Sequence, residues 1–319
     1  MRGSKTGGHA DRVQSVVDSD APARSALAAS WRRSSALHRL DPAERELSRR
    51  LSEAELRAAR DRLGPLLGVA QPSLDRLYQA VGGVGCCVLL ADRDGVPVDR
   101  RGAAGDDDSF RGWGLWTGAV WSEAVEGTNG IGTCIVEQRA LTIHRDQHFF
   151  ARNTDLSCTT APIFDHEGRL AAALDVSSCR ADLTEAFVGL ISVAVQDAAR
   201  RIEAEAFRLA FPDARVLVAP GTEATGGGLI AVDRDDLVVG ATRAARSALG
   251  LTPDSLARPR PVADLLGAPE GDLVEAERGA LQRALARAGG NASAAAKALG
   301  ISRATFYRKL ERLGLSARG

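Results

Sequence analysis

The chain has 319 residues, 45% of them hydrophobic, with 41 Lys and Arg balanced by 41 Asp and Glu. That length supports two or three buried cores rather than one, and the zero net charge excludes a uniformly basic coat for nucleic acid. No run of about 18 uncharged apolar residues occurs, which excludes an ordinary membrane-spanning helix, and the first 25 residues lack the apolar core of a secretory leader. A cytoplasmic protein is expected, with no membrane partner and with Cys86, Cys87, Cys134, Cys158 and Cys179 reduced. Their spacing does not follow the paired C-x-x-C pattern of a structural zinc site, so no metal or cofactor is expected.

Residues 1–24 are rich in Gly, Ser and Asp without periodicity and read as disordered. Residues 25–62 read as an N-terminal helical segment whose apolar face carries Leu47, Leu51, Ala54 and Ala58. Residues 63–209 mix helical and strand patterns. VGCCVLLADRDG is an apolar strand stopped by a charged turn, with Cys86 and Cys87 on opposite faces. DLSCTTAPIFDHEGRLAAALDVSS reads as two strands joined at Asp165–Gly168. From Asp182 to Leu209 one long helix is expected, with Leu183, Phe187, Leu190, Ala194, Ala198 and Ile202 recurring at three- and four-residue steps. Such a helix spans about 40 Å, longer than a small sheet, so part of it is expected to pair with a second copy in a homodimer. Residues 210–269 give three short strands (RVLVAP, GLIAVDRD, DLVVGA), a short helix (ATRAARSALGL) and a Pro-rich linker at Ala257–Pro269.

Residues 270–319 carry the clearest pattern. Leu273–Ala288 is helical, with Leu281, Ala284, Leu285 and Ala288 on one face, and Gly289-Gly290 ends it. Asn291 caps a helix over Ala292–Leu299, Gly300 makes the turn, and Ser302 caps a third helix. In that helix Phe306, Leu310 and Leu313 form the inward stripe, leaving Ala304, Thr305, Tyr307, Arg308 and Arg312 outward and Arg303 at the tip. From Arg283 onward there are eight cations against one anion. Two helices joined by a short Gly-containing turn, the second one basic, are the geometry that lays a recognition helix in the major groove of double-stranded DNA.

Upstream, WSEAVEGTNGIGTCIVEQRALTIHRDQHF is the most distinctive stretch. Gly127, Gly130 and Gly132 are not in the order of a dinucleotide loop and follow no strand, so with Asn129 they suggest tight turns at the mouth of a pocket. His144 and His148 are four apart, but LTIH reads as a strand end, so they are not expected to share a metal. Cys158, in an apolar strand, reads as a small buried hydrophobe.

Two resemblances carry functional content. GNASAAAKALGISRATFYRKLERLGL resembles the Fis-type helix-turn-helix family. That likeness implies contacts to base edges and phosphates from Ser302 and Arg303, contacts to the DNA backbone from Thr305, Arg308 and Lys309, and Tyr307 where the family often has a cation; Arg312 joins them on the outward face. WSEAVEGTNGIGTCIVE, HFF, LSCTTAPIFDHEGRLAAALDVS and SALAASWRRSSALHRLDP resemble the GAF sensor domains of acetoin-catabolism-type activators. This implies a small-molecule effector, with Trp121, Glu123, Thr128, Asn129, His148 and Cys158 as ligand-binding candidates. GGLIAVDRDDLVVGATRAARSALGL resembles the opening of a PAS domain, too short to be complete.

The fold class expected is therefore α+β multidomain: a GAF-like antiparallel sheet with helices, a degenerate PAS-like segment, and an all-α helix-turn-helix. Activators of this group carry an ATPase module before the DNA-binding end, yet only about 10 residues separate Leu265 from Glu275, so no such module fits there. The chain's three lysines are Lys5, Lys297 and Lys309, and only Lys5, in G-S-K-T, comes near a phosphate loop. A non-enzymatic regulator that acts through RNA polymerase or a partner activator follows. Two rival readings remain at this point: a GAF-fold cysteine redox enzyme, which needs a low-pKa thiol, and an architectural DNA-binding protein with little sequence preference.

Overall fold

The computed structural model describes residues 3–315 apart from 47–48, 181, 183, 224–225, 253–255, 257–259 and 267–272. The chain divides into two compact units, residues 1–259 and 260–319.

The first unit opens with α1 (Gly3–Val17), where disorder was expected. This helix gains its anchor from tertiary contact. Val13 is fully buried with Trp31, Phe149 and Phe150, and His9 Nε2 lies 3.0 Å from the His148 carbonyl. Helix α2 (Ala26–Arg32), capped by Ser25, runs into one wider turn over Arg33–Leu37. The helical reading of residues 25–62 then breaks, since Arg39 adopts a left-handed φ of 56°. Leu51 is not helical and donates its N–H to the Gly118 carbonyl at 2.7 Å. Helix resumes only at α3 (Glu53–Leu63), under a reciprocal Ser52–Glu55 cap. Its buried stripe is Leu56, Ala59 and Leu63, while Ala54 and Ala58 are exposed. The expected face was thus out of phase, because it was counted through the break; Leu47 lies outside the described residues. Helix α4 (Pro65–Val81) follows directly.

The main sheet contains β1 (Cys86–Asp92), β2 (Pro97–Arg101), β3 (Leu141–His144), β4 (Ser157–Phe164) and β5 (Leu170–Ser178), in the order β2-β1-β5-β4-β3. Every pairing is antiparallel. Between β2 and β3 lie α5 (Asp107–Gly112), α6 (Glu123–Glu126) and α7 (Gly130–Glu137). After β5 comes α8 (Glu185–Ala210), capped by Thr184.

Period-two alternation sends successive side chains of each strand to opposite faces. Cys86, Val88, Leu90, Leu174 and Val176 face a core shared with α3, α4 and α8. Cys87, Leu89 and Cys158 face a second core with Phe110, Leu115, Trp121 and Ile131. The buried stripe of α8 is Ile191, Val195, Ala198, Ala199 and Ile202. Leu190, expected on that stripe, is 67% exposed, and Val193 is 65% exposed.

Beyond α8, β6 (Arg215–Val218), β7 (Leu229–Val232) and β8 (Leu237–Ala241) form an antiparallel ladder, followed by α9 (Arg243–Leu249). The three strands and the helix stand where the sequence pattern put them. Part of the expected linker at 257–269 lies outside the described residues; within it α10 (Val262–Leu265) is a single turn.

The second unit continues with α11 (Leu273–Arg287), α12 (Ala292–Ala298) and α13 (Arg303–Arg312). Asn291 Oδ1 accepts the N–H groups of Ser293 and Ala294, and Ser302 Oγ accepts that of Thr305. The core is Leu281, Ala284, Ala292, Ala295, Ala296, Phe306, Leu310 and Leu313. Small alanines on α12 let the neighbouring helices approach closely, and the large side chains of α13 fill the space. Among the described residues no helix is long and apolar enough to cross a membrane.

Candidate functional site

The six ligand-binding candidates of the GAF-like region are all buried, but they do not line one pocket. Glu123 is held by the N-terminal segment. Arg33 Nε and Nη2 donate to its two oxygens at 2.7 and 3.2 Å, and Ser30 Oγ donates at 2.9 Å. Arg33 also reaches Glu137 at 3.0 Å, and these two carboxylates hold the guanidinium pKa above its ordinary value. The Ser30 and Thr128 hydroxyls are 2.7 Å apart, and Ser34 Oγ is 3.3 Å from Thr128 Oγ1. Trp31 Nε1 donates to the Gln147 carbonyl. The S-W-x-R-S segment is therefore docked on the E-x-x-x-x-T-N stretch, burying a carboxylate that only a fixed guanidinium makes tolerable.

Asn129 is a structural cap. Its Oδ1 accepts the Gly132 N–H at 2.8 Å, and its Nδ2 donates to the Gly127 and Trp121 carbonyls. Both of its amide donors and its amide oxygen are thus engaged within the fold. Trp121 Nε1 likewise donates to the Gly114 carbonyl. The turns expected at a pocket mouth instead serve close packing. A Cβ on Gly132 would lie 2.4 Å from the Glu123 nitrogen, and one on Gly130 would lie 2.6 Å from Cys158 Cβ and Thr160 Oγ1. Glu126, a further buried carboxylate, accepts both bonds of Arg152 at 2.9 Å and the Asn153 amide at 3.0 Å.

His148 is fully buried. Its Nδ1 pairs with the Arg145 carbonyl at 2.9 Å, so Nε2 carries the lone pair, and Nε2 has no partner among the described residues. Burial pushes its pKa down to about 4 and keeps it neutral. His144 is on β3, with Nδ1 at 2.9 Å from Ser157 Oγ. Among the described residues no cluster of His, Cys, Asp and Glu suits a metal ion.

Cys158 belongs to a cluster that sequence reasoning missed. Asp175, opposite Thr160 on β4 and Leu89 on β1, is fully buried and accepts hydrogen bonds from Thr160 Oγ1 at 2.5 Å and Ser177 Oγ at 2.6 Å. Ser177 Oγ also lies 3.1 Å from Cys158 Sγ. Burial raises the Asp175 pKa to about 6, against the two hydroxyls, which pull it down. The available signal was a lone acid within the small and apolar strand LAAALDVSS. Burial also raises the pKa of every cysteine thiol, to about 11 for Cys86. A thiolate nucleophile near neutral pH, as the redox reading requires, is not favoured.

Two cavities bear on ligands. One, of about 180 Å³, lies between α2 and the α7–β3 region and is walled by Ser30, Thr128, Thr133, Thr142, Arg139 and Gln147; of the six candidates only Thr128 lines it. The other, of about 650 Å³, lies at the far end of α8 and contains none of them.

On α13, Ser302, Arg303, Tyr307 and Arg308 are exposed and Thr305 is half-buried. The Arg303 guanidinium lies 5.6 Å from the Tyr307 ring centre. Neither Arg303 nor Arg308 has an acidic partner among the described residues. Lys309 and Arg312 differ, since both are ion-paired to Glu277 of α11.

The two folded parts are a five-stranded sheet with helices on both faces and, further along the chain, a capped helix-turn-helix. Residues 65–202 match the GAF domain, and residues 273–313 match the bacterial regulatory protein, Fis family. The chain is 39% identical over 174 residues to the acetoin catabolism regulatory protein of Cupriavidus necator, covering 54% of this chain and 26% of that one. It is 26% identical over 193 residues to the acetoin dehydrogenase operon transcriptional activator of Bacillus subtilis, covering 60% and 32%. The chain thus spans only about a quarter to a third of these relatives' length. The E. coli DhaR(N)–DhaL complex contains a chain of similar fold, with a TM-score of 0.52 at 16% identity, covering 75% of this chain and 80% of that one.

Asp175 gives a test of the buried cluster. Its folded pKa of about 6 lies above the ordinary 3.8, so the linked stability is full below about pH 4 and is lost as the pH rises through about 6. Asp175→Asn cannot ionise, and between pH 4 and pH 7.5 it should lose about 2–3 kcal/mol less stability than the parent. Urea unfolding at the two pH values checks this; parallel losses in the two proteins would place the carboxylate in a solvated setting.

Proposed function

We propose that this chain is a DNA-binding transcription regulator, acting in the cytoplasm, whose affinity for its sites responds to a small molecule held by the GAF domain. The observation that carries the first half is the exposed face of α13. Arg303 and Arg308 are free for a polyanion, Ser302 and Thr305 stand at the helix start, and the Phe306–Leu310–Leu313 stripe fixes which side faces outward. Lys309 and Arg312, both counted among the DNA contacts from sequence, serve first to fasten α13 to α11 through Glu277. The named relatives are transcriptional regulators, which supports a non-enzymatic role. With no room for an ATPase module between α10 and α11, the regulator recruits or blocks RNA polymerase or relies on a partner activator. Arg303→Ala should weaken cognate DNA by about 1–3 kcal/mol and relax sequence preference, while Arg308→Ala should weaken all DNA alike and lower the salt slope by about one. Equal losses on cognate and random DNA for Arg303→Ala would remove its base-reading role and favour an architectural protein.

The regulator works as a homodimer through α8. Leu190 and Val193 are large, apolar and exposed one turn apart on its outer side, and dimeric recognition matches the inverted repeats that paired recognition helices read. Leu190→Glu should give a monomer by sedimentation at micromolar concentration and reduce binding to a two-half-site DNA. A parent chain that is already monomeric under those conditions would defeat the proposal.

The effector occupies the 180 Å³ cavity, whose wall of hydroxyl groups suits a small molecule with hydroxyl or carbonyl groups. Acetoin, a small hydroxyketone that appears in the names of two relatives, is the first probe. It should shift DNA affinity by about 1–3 kcal/mol, and Thr142→Val should abolish that shift while leaving ligand-free DNA binding unchanged. A response that survives in both Thr142→Val and Thr133→Val would move the effector out of this cavity.

A further inference from the structure

The 650 Å³ cavity is walled by the last turn of α8, the start of α4 and the tips of two hairpins. Its floor is apolar, formed by Leu63, Leu66, Val69, Leu170 and Leu209. Its rim carries Arg62 and Arg169, each paired with two carboxylates, together with Arg93 and His166. The two acids on the lining are already engaged. Asp92 Oδ1 accepts the Asp94 and Val96 N–H groups, and Oδ2 accepts Arg62 at 3.2 Å. Asp165 Oδ1 accepts the Glu167 and Arg169 N–H groups, and Oδ2 accepts Arg169 Nε at 3.1 Å. Both carboxylates close their own hairpin turns, and their charge is offset by the arginines they bind, Arg62 and Arg169. Arg93, exposed at the rim, has no hydrogen-bond or ion-pair partner among the described residues. An apolar floor beneath Arg93, the one rim arginine unpaired among the described residues, is complementary to one kind of occupant, a molecule with an apolar body and an anionic head.

We propose that this cavity is a second ligand site of the chain, one that takes a small organic anion with an aliphatic or aromatic body, such as a medium-chain carboxylate. The site is separate from the hydroxyl-lined cavity and does not depend on that cavity's role. Its position gives it a consequence. Leu209 and Ala210 are at the end of α8, and the next residue, Phe211, packs its ring 4.9 Å from Phe207 and 5.9 Å from His166 of the cavity rim. An apolar chain beneath Leu209, with its carboxylate drawn to Arg93, ties the hairpin tips to the helix end that follows the sheet.

Decanoate and its neutral counterpart decanol are the probes, titrated into the full chain by calorimetry with amide hydrogen exchange alongside. Decanoate should bind saturably and about tenfold more tightly than decanol, and Arg93→Glu, an exposed change that leaves no partner stranded, should weaken it about tenfold or more. Bound decanoate should slow exchange across residues 203–210. Equal binding of decanol and decanoate, or an Arg93→Glu protein that binds as the parent does, would overturn the anionic site. Protection confined to residues 128–147 would place decanoate in the hydroxyl-lined cavity and overturn it too. The absence of any decanoate binding, with acetoin still shifting DNA affinity, would defeat this site and leave the effector proposal standing.

Discussion

The GAF domain of this chain is organised around one buried carboxylate. Glu123 is 2% exposed, and such a charge is tolerated in a core only when paired and hydrogen-bonded. Its partners, Arg33 and Ser30, come from a helix some ninety residues earlier. That single requirement fixes α2 against α6 and α7. It brings Ser30, Ser34 and Thr128 into one hydroxyl chain and so builds a wall of the smaller cavity. It also lets Trp31 lie over Phe149 and Phe150, which in turn gives α1 a surface to bury Val13. Remove the ion pair and the N-terminal segment loses this charged anchor to α6, so folding and the smaller cavity are coupled through it.

Three motif residues of the GAF-like region are spent on holding the fold. Asn129, Trp121 and Gly132 spend their hydrogen bonds and their lack of bulk on holding α7 against the sheet. Thr133, Thr142 and Arg139, which no motif reading singled out, line the smaller cavity. This division has a physical basis. A buried amide whose donors and oxygen are engaged has little left to offer a ligand, whereas the half-buried Thr142 and exposed Arg139 at the cavity wall are reachable from solvent.

Local order was legible from the sequence wherever a single periodicity ran without interruption. The β4–β5 hairpin, α8 and all three helices of the DNA-binding end were visible because turn residues and apolar spacing agreed. Where the chain broke its own period, the reading failed. Counting through Arg39 to Leu51 put the apolar face of α3 on Ala54 and Ala58 instead of Leu56 and Ala59, and α1 was missed because its stability lies in Val13 and His9 meeting residues 148–150. Long-range polar pairing was invisible for the same reason. Nothing local to Glu123 announces Arg33, nothing local to Asp175 announces Thr160, and nothing on α13 announces that Glu277 claims Lys309 and Arg312.

That last pairing bears on how the DNA-binding end holds its shape. The three-helix core is small, built largely on alanines with Phe306, Leu310 and Leu313 as its bulk, and a small core gives limited hydrophobic stabilisation. Two cations of α13 bound to one carboxylate on α11 add a clamp across the unit, on the flank of α13 and not on its tip. The clamp leaves Arg303 and Arg308 outward and unneutralised, with Tyr307 offering its ring to Arg303 in place of another positive charge. Lys309 and Arg312 thus give up their charge to fixing the orientation of α13, while Arg303 and Arg308 keep theirs.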